Sequence, residues 1–315
     1  MNSIVGKVWW HVIVLMILSL ALNFSFFYIA QSRNFFTGLI TPFGEIAYNL
    51  STYGSIKVNN DRIAWLNTQQ IKQQRLIDYV DLPIQLTEVF ADEYRSVNDT
   101  IGYGILLGLL WKITGSLRYV DVQLLQIMLF SLALLLLYFI GYIIFGSMTC
   151  AFLICLAQLL FFPLIFLNIH PIRDIWAYYG LLVMFYSFCA VDKEKFFFTW
   201  RNVSAAFFFV VCQWMRPPIF FSLLAASAPI YFYRKALISL WAFFLGLNLL
   251  FFWVPFIVYN KCAYDRYLVS PAGQDLYEGL GEFPNSWGIK MDDELFAMLL
   301  LKEYGLYYGS PQGQA

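Results

Sequence analysis

Residues 122–145 read VQLLQIMLFSLALLLLYFIGYIIF, an apolar run without Asp, Glu, Lys or Arg. About 20 residues at ~1.5 Å rise each cross the hydrocarbon core of a bilayer, so this run predicts a transmembrane helix. Further apolar runs follow closely, at about 148–169, 174–191, 202–215, 217–233 and 237–259. One precedes them at Trp9–Ala30, interrupted only by His11, Ser19, Asn23 and Ser25. Its end carries Phe26, Phe27 and Tyr28 rather than small residues, which reads as a retained helix and not a cleaved signal. The pattern predicts an all-α polytopic membrane protein with about seven transmembrane helices.

Composition agrees. Of 315 residues, 60% are hydrophobic, 20% aromatic and only 13% charged, whereas a soluble domain is roughly half apolar and about 25% charged. The 20 basic and 20 acidic residues balance to a net charge of +0, without the basic excess of a nucleic-acid binder. The hydrophobicity excludes intrinsic disorder. Cys150, Cys155, Cys189 and Cys212 fall in apolar stretches and Cys262 in a polar one, with no CxxC pair, so they read as small hydrophobes rather than a disulfide or zinc framework.

Four regions follow: a first transmembrane helix (1–30), an extracytoplasmic loop with amphipathic, interfacial helices (31–121), a six-helix transmembrane region (122–259) and a second extracytoplasmic segment (260–315). The loop is punctuated early by Gly38, Pro42, Gly44, Gly54, Asn59 and Asn60; an amphipathic helical stretch is expected over about 62–80, with Trp65, Leu66, Ile71, Leu76, Ile77 and Val80 among Gln and Lys. Ile101–Thr114 is apolar, short and rich in glycine (Gly102, Gly104, Gly108), and reads as a helix lying in the interface. Arg216-Pro217-Pro218 predicts a hairpin between two short helices. Lys7, Lys193, Lys195, Arg201, Arg234 and Lys235 fall on one side, which places the N-terminus in the cytoplasm.

The span interiors are almost free of charge, against a proton-coupled pump. Ionisable residues gather instead at the expected outer face: Glu45, the run Asp92-Glu93-Tyr94-Arg95 with Asp99, the turn His170-Pro171-Ile172-Arg173-Asp174, and Arg216. Arginine offers planar, permanently charged donors suited to phosphate, and a carboxylate can serve as general base or metal ligand. Each also has a plainer reading. Arg216 can snorkel to headgroups, Arg173 and Asp174 can form a surface pair, Glu45 can be a helix-start carboxylate, the Asp92–Asp99 run can be a solvated face, and His170 can be a turn residue. A lipid or small-molecule carrier, or an assembly subunit, would instead show a polar path through the bundle, whereas Gln158, Ser131, Asn168 and Asn248 are scattered.

Four stretches, in order, carry a resemblance. They are Glu45-Ile46-Ala47-Tyr48-Asn49-Leu50 with Tyr53-Gly54; Asp99-Thr100-Ile101-Gly102-Tyr103-Gly104 running to Trp111-Lys112-Ile113-Thr114-Gly115; Met215-Arg216-Pro217; and Trp253-Val254-Pro255 closing a span, followed by Gly279-Leu280-Gly281-Glu282-Phe283-Pro284-Asn285-Ser286-Trp287-Gly288. With them the chain resembles membrane glycosyltransferases of the C-type fold, such as protein O-mannosyltransferase-like and lipid A aminoarabinose transferase-like proteins. The resemblance implies transfer of a sugar from a polyprenyl-phosphate donor to a lipid, glycan or protein acceptor at the outer face of a bacterial or archaeal cell membrane. It implies an acidic base or organiser at Glu45, with Asp99 and the loop's Asp-Glu pair, Asp92-Glu93, as further catalytic candidates. It implies donor-phosphate contacts from Arg216, Arg173 and His170, and it admits a divalent metal ion as cofactor. Relatives continue past the outer segment into more spans, so an end at Ser310–Ala315 suggests a short form, a truncated frame or a fragment. Asn49-Leu50-Ser51 and Asn98-Asp99-Thr100 are outer-side glycosylation sequons.

Overall fold

A computed structural model of the chain describes residues 2–30, 37–73, 75–87, 101–190, 199–233 and 237–264. Helices dominate them, and no strand occurs among the described residues. They are α1 (Asn2–Ala30), α2 (Thr37–Tyr53), α3 (Asn60–Gln73), the single turn α4 (Ile84–Thr87), α5 (Gly102–Thr114), α6 (Val120–Phe145), α7 (Met148–Leu159), α8 (Phe162–Ile169), α9 (Ile175–Cys189), α10 (Trp200–Met215), α11 (Ile219–Tyr233), α12 (Ile238–Asn248) and α13 (Val254–Tyr264).

Three helices are long and apolar enough to cross a membrane: Val8–Ala30, Val120–Phe145 and Ile238–Cys262. A fourth crossing arises if α7 and α8 count as one broken span, bent by 62°. The sequence reads 148–169 as one continuous run. Pro163 explains the break: it sits in the first turn of α8, where its missing N–H costs nothing, but it cannot continue α7. α5 and α9 are apolar but short.

Two other expectations change. The loop after α1, read as irregular from its Gly and Pro, forms α2 with Pro42 inside it. The amphipathic stretch ends at Gln73, so Leu76, Ile77 and Val80 lie beyond the helix, in coil and a 3₁₀ turn over Tyr79–Asp81. Cys155 and Cys212 are buried as expected, but Cys150 and Cys262 are exposed.

Side-chain pairs fix the helix directions. His11 meets Tyr138, Ser19 bonds Ser131 at 2.9 Å, and α1 therefore runs antiparallel to α6. Ala190 with Arg201, Gly180 with Cys212 and Asp174 with Arg216 make α9 and α10 antiparallel. Phe130 with Tyr178 and Phe139 with Tyr186 make α6 and α9 parallel. The Arg216-Pro217-Pro218 hairpin joins α10 and α11 as expected.

Several polar residues of these helices meet across them, though Gln158 joins none of these bonds. Asn168 donates to Asn23 Oδ1 at 2.6 Å, the Tyr179 hydroxyl donates to Asn168 Oδ1 at 2.5 Å, and Tyr103 donates to Gln126 Oε1 at 3.2 Å. Gln126 Nε2 in turn donates to the carbonyl of His170 at 3.0 Å. Asn248 donates to Gln213. One buried network thus ties α1, α5, α6, α8 and α9. Such interhelical bonds contribute roughly 0.6–2 kcal/mol each in a membrane.

α2 and α5 pack in parallel at close range, because Gly104 and Gly108 expose backbone one turn apart. A Cβ at Gly104 would lie 2.7 Å from Ile46 Cβ, and one at Gly108 would lie 3.0 Å from the Ala47 carbonyl oxygen. Gly102 lies against the Trp214 backbone of α10. Gly102→Ala would push a methyl into that main chain, which cannot swing away as a side chain could. Its expected cost is about 1–3 kcal/mol, read as a lower midpoint in thermal unfolding of the purified protein.

The chain forms two compact units. The first holds Met1–Glu93 and Ile101–Leu249, and the second holds Tyr94–Thr100 and Leu250–Ala315. Described residues of the second begin within a π-helical turn, Leu249–Trp253, and continue through α13. Pro255 lies inside this helical run, not at its close. Phe252 stacks on Phe256 at 5.6 Å across the turn.

Candidate functional site

Glu45 lies in the middle of α2, not at its start, and is wholly buried. Its carboxylate meets one cation and three hydrogen-bond donors. Arg62 Nε stands 3.2 Å from Oε2, with both side chains at 0% exposure. Asn49 Nδ2 donates to Oε1 at 2.6 Å, the Asn59 N–H donates to Oε1 at 3.1 Å, and the Tyr79 hydroxyl donates to Oε2 at 3.3 Å.

This arrangement caps α3. Asn59 precedes the helix, and its Oδ1 accepts from the Arg62 N–H at 2.8 Å, the N-cap bond to the third helical residue. In a capping box an acidic side chain at that third position returns a bond to the cap residue's N–H. Here the third position is Arg62, and Glu45 supplies the returned bond from another helix. α2 and α3 are thereby pinned together at one carboxylate. Asn59→Ala should remove about 1 kcal/mol of stability, measurable by thermal unfolding.

An aromatic wall surrounds the pair. The Arg62 guanidinium lies over the Tyr48 ring at 4.7 Å, Tyr48 stacks on Tyr79 at 5.2 Å, and Trp111 and Tyr119 complete the group. Gly44 makes room for it: a Cβ there would strike the Tyr119 hydroxyl and approach Tyr79 Cε2 to 2.6 Å. A side chain before Glu45 would have no space.

Burial pushes the Glu45 carboxyl above its ordinary value of 4.5, and Arg62, Asn49, the Asn59 N–H and Tyr79 pull it back without cancelling the rise. For a carboxyl whose folded value is raised, the folded state holds the extra proton between the unfolded and folded values. The contribution to stability is full below the unfolded value and is lost as pH rises through the folded one. In unfolding midpoints taken from about pH 4 to pH 8, the difference between wild type and Glu45→Gln should therefore move in the variant's favour as pH rises.

The cations expected to hold phosphate are engaged. Arg216 Nε pairs with Asp174 at 3.0 Å, both side chains more than a third exposed. An exposed pair of this kind contributes ~0–1 kcal/mol. The surface pair is thus Arg216 with Asp174, not Arg173 with Asp174. The Arg173 guanidinium lies 5.2 Å from the centre of the Phe43 ring, two residues before Glu45. His170 is buried, and its ring Nδ1 is 2.7 Å from the Phe166 carbonyl; burial lowers its pKa and favours the neutral ring. Asp92, Glu93 and Asp99 lie outside the described residues.

His170 also lines a cavity of about 230 Å³ with Asp78, Tyr119, Gln123 and the apolar Phe27, Ala30, Leu76, Val120, Ile169 and Pro171. One wall is a strained loop. Leu117 has φ 52°, in the left-handed region that costs a branched side chain of order 1–3 kcal/mol. Three of the bonds that hold the loop tie it to Tyr79, Trp111 and Asp78. The Leu117 carbonyl accepts from the Tyr79 N–H at 3.1 Å, the Arg118 carbonyl from Trp111 Nε1 at 2.7 Å, and Asp78 Oδ1 from the Tyr119 N–H at 2.8 Å.

The partners Arg62, Asn59, Tyr79 and Asp78 are not visible as a motif. One signal does exist: Arg62, Leu66 and Gln70 repeat every four residues and share the buried face of α3, which places an arginine inward on a helix wheel. The sequon residue Asn49 is buried, with its amide given to Glu45 and to the Lys57 carbonyl, so the folded chain does not offer it for glycosylation. Among the described residues, no group of three His, Cys, Asp or Glu converges as a metal site. No protein family, curated protein or solved structure matches the chain.

Proposed function

We propose that this is a multi-pass membrane glycosyltransferase that moves a sugar from a polyprenyl-phosphate donor to an acceptor at the outer face of a bacterial or archaeal cell membrane. The observation that carries the reading is the Glu45 carboxylate, buried, paired with Arg62 and accepting three hydrogen bonds, on the helix that follows the first span. In the proposed topology the N-terminus is cytoplasmic, seven segments cross, and the short α9, α10 and α11 count among them.

In the reaction the acceptor oxygen bonds to the anomeric carbon and gives its proton to a carboxylate. The bond from that carbon to the phosphate oxygen breaks, and the electron pair leaves with the polyprenyl phosphate. Arg216 and Arg173 stabilise the charge that builds there. Glu45 has no exposed surface in this state, so the proposal has α3 lift from α2, exchanging the Arg62 contact for the acceptor. The test is sugar transfer from a labelled polyprenyl-phosphate donor in sided vesicles. Transfer should occur only where the outer face meets the donor, and Arg216→Ala should raise the donor KM about tenfold, the loss expected for one charged hydrogen bond. An unchanged KM, or transfer at the cytoplasmic face, contradicts the proposal.

A second reading, a lipid or small-molecule carrier or an assembly subunit, is favoured by the buried polar network through Asn23, Asn168, Tyr179 and Gln126. It predicts movement of a labelled lipid across vesicles with no new glycosidic bond.

A further inference from the structure

The cavity lined by Asp78, Gln123 and His170 shares Tyr119 with the aromatic wall around Glu45, but the sealed Glu45 carboxylate does not line it. Its chemistry is distinctive. Among the described residues that line it, none is Lys or Arg, the side chains suited to a phosphate. Its polar groups are a carboxyl, an amide and an imidazole, which accept and donate hydrogen bonds in several directions, while the Tyr119 hydroxyl is buried against Gly44. The rest of the wall is apolar, with Phe27 offering an aromatic ring.

These groups are held in place. Asp78 Oδ1 accepts from the Tyr119 N–H at 2.8 Å, which fixes the carboxyl. Gln123 Nε2 donates to the Ile169 carbonyl at 2.7 Å, which fixes the amide. Burial raises the Asp78 carboxyl and lowers the His170 imidazole, so both lean towards their uncharged forms. At about 230 Å³ the space is smaller than a drug-sized pocket of roughly 300–1,000 Å³, and suits one small ring rather than a nucleotide.

We infer that this cavity binds a neutral, polyhydroxylated ring through Asp78, Gln123 and His170. That the ring is a sugar rests on the transferase reading; that it is neutral and rich in hydroxyls rests on the lining. It has two possible sources, the sugar of the lipid-linked donor or a free glycan. The cavity therefore reassigns His170 from phosphate to hydroxyl recognition.

The experiment is equilibrium binding to the purified full chain in lipid nanodiscs. The probes are methyl α-mannoside, methyl α-glucoside, polyprenyl-phosphate mannose and inorganic phosphate. Wild type should bind at least one sugar probe, and inorganic phosphate should not compete. Asp78→Asn keeps an acceptor for the Tyr119 N–H and so keeps the loop; it should weaken binding tenfold or more, as should Gln123→Leu. Deoxy analogues of the bound sugar should weaken binding to unaltered protein similarly, which removes any doubt about folding. Binding of the methyl glycosides identifies a free glycan as the source, and binding of the polyprenyl-phosphate sugar alone identifies the donor. No sugar binding, equal binding in both cavity variants, or competition by phosphate overturns the inference. Sugar binding without any transfer would sink the transferase reading and leave this one; transfer with unaltered binding in the cavity variants would do the reverse.

Discussion

Arg62→Met is expected to lower stability by about 3–5 kcal/mol near neutral pH, because it leaves the Glu45 carboxylate buried without its cation. The remaining donors, Asn49, the Asn59 N–H and Tyr79, cannot replace a full charge. The substitution also removes the guanidinium from the Tyr48 face. The loss should shrink as pH falls, since the raised carboxyl takes up a proton and no longer needs a partner. Glu45→Gln with Arg62→Met should recover much of the loss, because replacing both members of a buried pair is often close to neutral. Thermal unfolding of the two single variants and the double variant closes the cycle. Additive single effects, or an Arg62→Met protein within experimental error of wild type, would show that the pair does not hold α3 to α2.

Gly44→Ala should cost about 1–3 kcal/mol by overpacking, and it should disturb Glu45 as well. The new methyl meets the Tyr119 hydroxyl and comes to 2.6 Å from Tyr79 Cε2. Neither ring has room to turn, since each is about 1% exposed and both pack on Trp111. Moving Tyr79 withdraws a donor from the carboxylate. The relieving variant is Tyr119→Phe. The Tyr119 hydroxyl is buried and has no hydrogen-bond partner among the described residues, so its removal should be neutral or stabilising by up to about 1–3 kcal/mol. Gly44→Ala combined with Tyr119→Phe should then be more stable than Gly44→Ala alone. If the combination is no better, the tight spot lies elsewhere.

The long spans were legible because a bilayer imposes a simple requirement, enough apolar residues in a row. The hairpin at Arg216-Pro217-Pro218 was legible because two prolines leave a helix no way to continue. α2 was not, since Gly38, Pro42 and Gly44 argue locally for a loop. Packing overrides them: Gly44 is needed to admit Tyr119, and α5 covers the helix through glycines of its own. The break at Pro163 does not show in the sequence because the apolar run continues across it, and apolarity alone does not report direction. At the candidate site, Glu45 could be singled out by position, but Arg62 and Tyr79 reach it from well along the chain, and only folding makes them neighbours. The polar residues of the spans read as scattered for the same reason. Asn23 and Asn168 stand on different helices, and their bond exists only once α1 and α8 meet.

The central claim is that Glu45 serves a sugar transfer from a lipid phosphate. The measurement that tests it most directly is the initial rate of transfer from a labelled polyprenyl-phosphate sugar by the purified, reconstituted chain, wild type against Glu45→Gln. A measurable wild-type rate that falls about 10²–10⁴-fold in the variant, with the variant still folded, is the expected result. Equal rates in the two proteins, or no transfer by wild type with any donor sugar, would contradict it.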